Sequence, residues 1–329
     1  MKVLVTGATG FVGGNLTEQL LKSGYQVKVI ARKPELIKNE QIEVVTGDIT
    51  DQKIIDQAVD GCQQIYHLAG KTSRSQSSRQ DFWQTNVEAT RNLAEKAMEA
   101  KVEKFIYASS AGVYGINSCN MVNEKSPTDP NTIYRRTKLA GEKILLSYYQ
   151  EKGLPVVIAR LSSMVGKNAL NWLGLTKAMS KTRGAHATQN FQLLGSGNNE
   201  FNLIHIKDAV RALQLCGEIS QSTGNCYLIG SKNAITLREF ITLIAKNLGV
   251  KFPQENKFTL PFEILLTISQ ILHQTFRIEM PLAHRYELFL SSRILDITKA
   301  ETELGFVPQF SLEEGVMEMI QSFKNNGYL

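Results

Sequence analysis

The chain has 329 residues, 43% hydrophobic and 21% charged, which excludes wholesale disorder and suffices for one large or two modest domains. Thirty-seven Lys and Arg against 31 Asp and Glu leave +6, spread without a run of five basic residues, so no nucleic-acid-binding arm is indicated. Four scattered cysteines (Cys62, Cys119, Cys216, Cys226) without a C-x-x-C pair, and five dispersed histidines without H-E-x-x-H, point away from a disulfide framework and from any metal site. A reduced, cytoplasmic setting follows as the expectation.

In chain order, Lys2–Val5 is predicted as a strand; the apolar run Val3-Leu4-Val5 is too short for a secretory h-region. A helix over Val12–Lys22 follows, then strands at Gln26–Ala31, Ile42–Val45 and Gln64–Leu68. A long helix covers about Gln80–Ala100, followed by a strand Lys104–Ala108, a helix Tyr134–Glu151 and a strand Val156–Leu161. Strands alternating with helices of this length make βαβ units, and hence an α/β fold with a parallel sheet covered on both faces.

From about Gly166 the rhythm changes, and residues 166–329 are predicted as a smaller, mostly C-terminal lobe beside a nucleotide-binding domain over 1–165. Parts of 201–230, such as Phe201–Leu215, are expected to fold back and complete the sheet. The polar stretches Lys71–Gln80 and Ile116–Thr132 are expected as long loops, which in compact α/β domains are usually functional. Phe258–Phe276 is the longest apolar stretch, but Glu263, Gln270, His273 and Gln274 interrupt it. A membrane-spanning helix needs roughly 20 predominantly apolar residues, so it does not qualify. Its helical apolar spacing suggests a helix walling a hydrophobic substrate pocket, with membrane-surface attachment as the alternative.

Thr6-Gly7-Ala8-Thr9-Gly10-Phe11-Val12-Gly13 joins the first strand to the first helix. Glycines at 7, 10 and 13 permit a tight turn and close approach of backbone to a pyrophosphate, and the helix start offers free N–H groups to the anion. At the end of the second strand Arg32 and Lys33 stand where an acidic ligand for the ribose hydroxyls of NAD would be expected. Two cations there suit a 2′-phosphate, so NADP(H) is favoured over NAD(H). Asp48, followed by Ile49, lies where a carboxylate accepts from an adenine amino group; a helix N-cap role is the alternative. Leu68-Ala69-Gly70 ends the fourth strand with small residues against which a cofactor can lie.

Tyr134 and Lys138 are four apart and share a helix face. The ammonium, the helix dipole and an oxidised nicotinamide would each favour phenolate and lower the tyrosine pKa, fitting Tyr134 for proton exchange with a substrate oxygen. Tyr148 and Lys152 repeat the spacing, but they end a helix before Gly153-Leu154-Pro155. Tyr134 instead starts one, and it follows Ser109-Ser110 at the carboxyl edge of the sheet. Ser110 could hold the substrate oxygen beside it.

These motifs, with Thr85-Asn86-Val87, Ala111-Gly112-Val113-Tyr114-Gly115, Arg160-Leu161-Ser162-Ser163, Leu203–Asp208 and Asp296–Ala300, jointly resemble the extended short-chain dehydrogenase/reductase family, which includes nucleotide-sugar epimerases and dehydratases. The resemblance spans nearly the whole chain and implies a Rossmann-type doubly wound parallel sheet. It implies that Ser110 polarises the substrate oxygen, Tyr134 is the acid/base, Lys138 grips the nicotinamide ribose and Asn86 supports a proton relay through water; a helix-interior polar residue bonding the backbone is the alternative for Asn86. Ser109, Leu161 and Ser163 would border the cofactor.

Sugar-modifying members typically carry an asparagine where Ser163 stands, and an arginine for the diphosphate where Phe201-Asn202 stands. Gly195–Asn199 with Phe201 looks more like the 3β-hydroxysteroid dehydrogenase and dihydroflavonol reductase branches. The expectation is therefore an NADP-dependent carbonyl reductase or alcohol dehydrogenase acting on a fairly apolar small molecule. The alternatives are a nucleotide-sugar epimerase, dehydratase or keto-sugar reductase, with Arg293 either a candidate diphosphate ligand or a surface residue, and a cofactor-sensing protein without turnover. A homodimer is allowed; nucleic-acid partners and a spanning membrane segment are not expected.

Overall fold

The computed structural model describes residues 1–116, 121–180 and 191–329, and for 281–285 the backbone course only. Cys119, and Asn117–Asn120 of the expected 116–132 loop, lie outside the described residues.

Seven strands form one parallel sheet: β1 (Lys2–Thr6), β2 (Gln26–Ala31), β3 (Glu43–Thr46), β4 (Gln64–His67), β5 (Lys104–Ser110), β6 (Val156–Leu161) and β7 (Cys226–Ile229). Their spatial order is β7-β6-β5-β4-β1-β2-β3. The alternation within β1 explains why its apolar run is continuous. Val3 and Val5 enter one core with Leu16 and Leu20, while Leu4 enters the opposite core with Ile55, Ile65 and Leu93. A strand covered by helices on both faces has no polar side.

The helices of the first layer are α1 (Phe11–Lys22), α2 (Gln52–Val59), α3 over 79–99 and α4 (Ile133–Lys152). The short α2, capped by the Asp51 carboxylate accepting from Lys53 N at 2.9 Å, was not among the predicted elements. The predicted single helix 80–100 is interrupted: Arg79–Trp83 and Ala89–Glu99 flank a π-turn at Gln84–Glu88 that carries Asn86. Such a turn inserts an extra residue into the helix and redirects its side chains, often at functional sites.

After β6 the chain makes α5 (Leu173–Ser180) and then α6 (Ile206–Glu218), which packs on α1 and on the sheet before β7 joins the β6 edge. The expected return of 201–215 therefore takes place through α6 and β7. The remaining helices are α7 (Leu237–Leu248), α8 (Leu260–Phe276), α9 (Pro281–Leu290), α10 (Thr298–Leu304) and α11 (Leu312–Asn325). A third core gathers Trp172, Phe201, Phe240, Ile241, Met319 and Phe323. Phe201 is therefore a core residue, edge-on to Phe240 at 6.1 Å.

Among the described residues no helix is long and apolar enough to cross a membrane. Helix α8 forms as predicted, but only one face of it is covered, and no residue of it lines the main cleft.

Candidate active site

The chain runs β1-β2-β3 toward one edge and then crosses to β4 on the other side of β1, so the strand order reverses between β1 and β4. Ligands of open α/β sheets bind at such a switch point, outside the carboxyl ends of the strands. A cleft of about 950 Å³ opens there.

Its floor depends on glycine. Gly7 has φ +74°, and a Cβ on it would meet Ala69 N at 2.8 Å; one on Gly13 would lie 2.1 Å from Gly7 O. No side chain larger than hydrogen fits at either place without moving backbone. Gly10 caps α1 without a side-chain acceptor, so the amides of Phe11, Val12 and Gly13 have no side-chain partner at a positive helix end. The Thr6 hydroxyl accepts from Leu68 N at 3.1 Å and Ala69 N at 3.0 Å, which locks the end of β4 to β1. The sequence reading had not singled out Thr6. The cradle fits a dinucleotide: a backbone anion site meets a wall of small residues at Leu68, Ala69 and Gly70.

Of the other expected cofactor residues, Thr9, Arg32, Asp48, Ile49, Tyr134 and Ser163 also line the cleft. Arg32 Nη1 lies 3.5 Å from Asp48 Oδ2. The Asp48 carboxylate accepts from Thr50 N at 3.0 Å and Thr50 Oγ1 at 2.9 Å, while Asp51 caps α2, so the N-cap alternative for Asp48 falls away. Burial pushes the Asp48 pKa up, but the Thr50 bonds and the Arg32 charge outweigh it and leave it below the usual range.

Four expected cofactor contacts lie outside the cleft lining: Lys138, buried against the Tyr107 ring, and three more. Lys33 starts the exposed turn Pro34–Leu36 and does not line the cleft. Leu161 packs into the core, and Ser109 Oγ donates to Glu142, because its position on β5 faces α4. The 71–77 segment belongs to the long loop expected over Lys71–Gln80. It lines the cleft and brings Lys71 and Arg74 to it.

The catalytic candidates converge on α4. Thr132 caps the helix by accepting from Arg135 N at 3.3 Å. Tyr134 in the first turn reaches the cleft, with the Ser110 side chain beside its hydroxyl. The Ser110 hydroxyl accepts from Gly112 N at 3.0 Å, which fixes its rotamer. Lys138, one turn on, is buried, with Nζ 4.2 Å from the Tyr107 ring centroid. Burial pulls its pKa down to about 7 against the raising effect of the Glu142 charge.

The expected lowering of the Tyr134 pKa is not what the environment produces. Burial raises it, and the Ser110 bond and the Arg135 charge offset only part of that rise. Four-residue spacing brings a cation near, but it is silent about lost hydration. In this environment Tyr134 is a protonated phenol at neutral pH, suited to donate its proton.

Glu142 sits one turn beyond Lys138 and was not anticipated. It accepts from Ser109 and from Arg160, with Nη2 at 2.7 Å, and Arg160 Nη1 reaches Tyr114 OH at 2.7 Å. This buried network ties β5, β6 and α4 together beneath the site. Asn86, expected to support a proton relay, instead clasps the loop: Oδ1 accepts from Lys71 N at 2.7 Å, and Nδ2 donates to Lys71 O and Thr137 Oγ1, each at 3.0 Å. Both amide protons are engaged with protein partners. Tyr148 faces away, its hydroxyl donating to Glu95 at 2.6 Å, and lines no part of the cleft.

Arg293 was a candidate diphosphate ligand and Arg135 was not singled out. Both converge on Glu287 of α9, which accepts from Arg135 at 2.8 and 2.9 Å and from Arg293 at 2.7 Å; Arg293 also donates to Gly115 O. Among the described residues no group of three or more His, Cys, Asp or Glu could hold a metal ion, and Cys62, Cys216 and Cys226 are free thiols.

Residues 3–230 match the family described as "NAD dependent epimerase/dehydratase family". The chain is 28% identical over 335 residues to 3-beta-hydroxysteroid dehydrogenase of Mycolicibacterium neoaurum, covering 97% of this chain and 90% of the relative. It is 28% identical over 347 residues to dTDP-glucose 4,6-dehydratase of Streptomyces niveus, covering 99% and 94%. Its fold is that of UDP-glucuronic acid 4-epimerase from Bacillus cereus, solved in complex with NAD, with a TM-score of 0.78, 24% identity and 99% coverage of both chains. Family match, switch-point cleft and the Tyr134/Lys138 helix agree, and the chain belongs to the NAD dependent epimerase/dehydratase family.

Proposed function

We propose that the protein is an NADP(H)-dependent reductase or dehydrogenase of a fairly apolar hydroxy or keto compound. Family membership makes it a nicotinamide-dependent enzyme; the cofactor form and the substrate are the proposal. The bound nicotinamide would supply or accept the hydride, and the protein's own groups handle the proton and the geometry. The first-turn amides of α1 would hold the pyrophosphate, Arg32 would meet a 2′-phosphate, and Lys138, buried one turn beyond Tyr134, would take the nicotinamide ribose. Ser110 and Tyr134 bond the substrate oxygen, and the phenol gives or takes its proton. Asn86 is a positioning residue that fixes the 70–72 segment beside that site.

The observation that carries the substrate reading is the Glu287 clamp. Arg293 and Arg135 are bound to a carboxylate of the protein itself, so a diphosphate would have to displace Glu287 to reach them. An apolar substrate needs no such displacement and gains from area removed from water, at about 25 cal/mol per Å² before binding costs. The second reading, a nucleotide-sugar enzyme, is favoured by the same cluster counted differently, since two guanidiniums share one carboxylate there. Calorimetry with UDP separates the two. Absence of measurable UDP binding, with turnover of cyclic or aliphatic hydroxyketones followed at the nicotinamide absorbance, supports the first. Micromolar UDP binding that competes with substrate replaces it with the second. A cytoplasmic setting belongs to the same proposal.

A further inference from the structure

His67 ends β4 and does not line the cleft; it is fully buried where β1, β4 and α3 meet. A buried imidazole needs polar partners, and this one has a partner on each ring nitrogen. Nδ1 lies 2.8 Å from Thr6 Oγ1 on β1, and Nε2 lies 2.8 Å from Thr90 Oγ1 on α3.

Counting protons assigns a direction to every bond. Thr90 Oγ1 is 2.8 Å from Asn86 O, and a carbonyl only accepts, so the Thr90 proton is committed there. Thr90 must then accept from His67, which puts the ring proton on Nε2. At the other end Thr6 Oγ1 already accepts from Leu68 N and Ala69 N, so its own proton goes to His67 Nδ1. Both ends agree on one neutral tautomer. Burial pulls the ring pKa down to about 3, with the Lys138 charge acting in the same sense, and the ring stays neutral.

Beyond Asn86 O the series continues through the side-chain amide of the same residue. Oδ1 accepts from Lys71 N at 2.7 Å, and Nδ2 donates to Thr137 Oγ1 at 3.0 Å. The Thr137 hydroxyl donates in turn to Tyr134 O at 2.9 Å. One end of the series therefore holds the backbone of Leu68 and Ala69, the wall of the dinucleotide cradle. The other end holds the loop at Lys71 and the first turn of α4. His67, Thr90, Asn86 and Thr137 between them are all buried.

We propose that His67 is a positioning residue for the dinucleotide, keeping the cradle wall at Leu68 and Ala69 in register with Asn86 and the start of the catalytic helix. It touches neither cofactor nor substrate. A space-filling role would be met by an apolar side chain. A buried series with every donor and acceptor matched admits one arrangement, because reversing a single link orphans a polar group. The proposal rests on dinucleotide binding at the cradle, and it is independent of the cofactor form and of the substrate class.

Three measurements on the full chain test it. In nitrogen-15 spectra of histidine-labelled protein, the His67 ring is identified by its absence from His67→Gln. It should show a protonated Nε2 and a bare Nδ1 at neutral pH; a proton on Nδ1, or a cationic ring, would overturn the proposal. Dinucleotide affinity is read by titration with NAD and with NADP, at a temperature where each variant is fully folded, so that lost stability alone does not move Kd. Thr90→Val keeps the side-chain volume, lies outside the cleft and removes one link. It should weaken the tighter-binding dinucleotide by about 2- to 30-fold, the range of coupling such networks carry. It should also speed hydrogen exchange at the Lys71 amide more than at the amides of β2, which the series does not reach.

His67→Leu should lose at least as much affinity, and Thr90→Val decides alone if that variant does not fold. His67→Gln, whose amide can accept from Thr6 and donate to Thr90 together, should lose less. If Thr90→Val and His67→Leu are less stable yet bind both dinucleotides like wild type, the series is structural only and the proposal fails. It fails equally if His67→Gln binds as weakly as His67→Leu. Equal wild-type affinity for NAD and NADP would refute the NADP reading and leave this one standing, whereas a wild-type protein that binds neither would overturn both.

Discussion

Replacing Arg32 with Ala tests the cofactor reading without any knowledge of the substrate. The Arg32 side chain lines the cleft, is 74% exposed, and stands 3.5 Å from the Asp48 carboxylate. A charge-assisted bond to phosphate contributes about 1.5–3 kcal/mol. Exposure places this contact at the lower end of that range, and the Asp48 pair that phosphate would loosen is worth about 0–1 kcal/mol. The net loss on Arg32→Ala is therefore about 0.5–2 kcal/mol, or roughly 2- to 30-fold in NADP Kd. NAD, which lacks the 2′-phosphate, should change by less than about twofold, within the scatter of surface substitutions. Because both partners face solvent, the wild-type preference for NADP should also shrink as salt rises. The assay is titration of the purified protein with each dinucleotide, by calorimetry or intrinsic fluorescence, at low and high salt. Equal wild-type affinity for NAD and NADP, or an Arg32→Ala variant that loses both equally, would refute the argument.

Tyr134→Phe should lower turnover by about 10²–10⁴-fold while leaving dinucleotide affinity near wild type. Tyr148→Phe should leave turnover unchanged and cost only about 1 kcal/mol in denaturant unfolding, because it loses the Glu95 bond alone. The Lys138 pKa is pulled down to about 7 in the folded chain, against an ordinary value near 10.5 when unfolded. Between those values the unfolded chain binds more protons, so Lys138 makes stability rise with pH above about 7; below that, the buried cation is a constant cost. The stability advantage of Lys138→Met over wild type should therefore shrink between about pH 7 and 9, by at most about 1.4 kcal/mol per unit. Denaturant midpoints measured across that range check this, and a flat difference would count against a depressed Lys138.

What sequence alone determined is what local chemistry determines. The glycines at 10 and 13 carry their reason in the local backbone, since the turn, the Gly13 clearance against Gly7 O and the free amides lie within seven residues, whereas the Gly7 clearance against Ala69 is set by the fold. The strand–helix alternation follows from periodicity, and the continuous apolar run of β1 already implied a sheet covered on both faces. The choice of Tyr134 over Tyr148 was legible because one tyrosine starts its helix at the sheet's carboxyl edge and the other ends it.

Tertiary structure decided everything that depends on partners distant in the chain. Glu142, Glu287 and Thr6 have no local signature; each matters because folding sets it beside Arg160, beside Arg135 and Arg293, or beside the end of β4. The same holds for Asn86, whose amide is claimed by Lys71 fifteen residues away. Two expectations reversed for one physical reason, that solvent exposure is a property of the whole fold. Spacing put a cation near Tyr134 but not the burial that raises its pKa. Periodicity put apolar side chains on α8 without indicating which of them the rest of the molecule would cover.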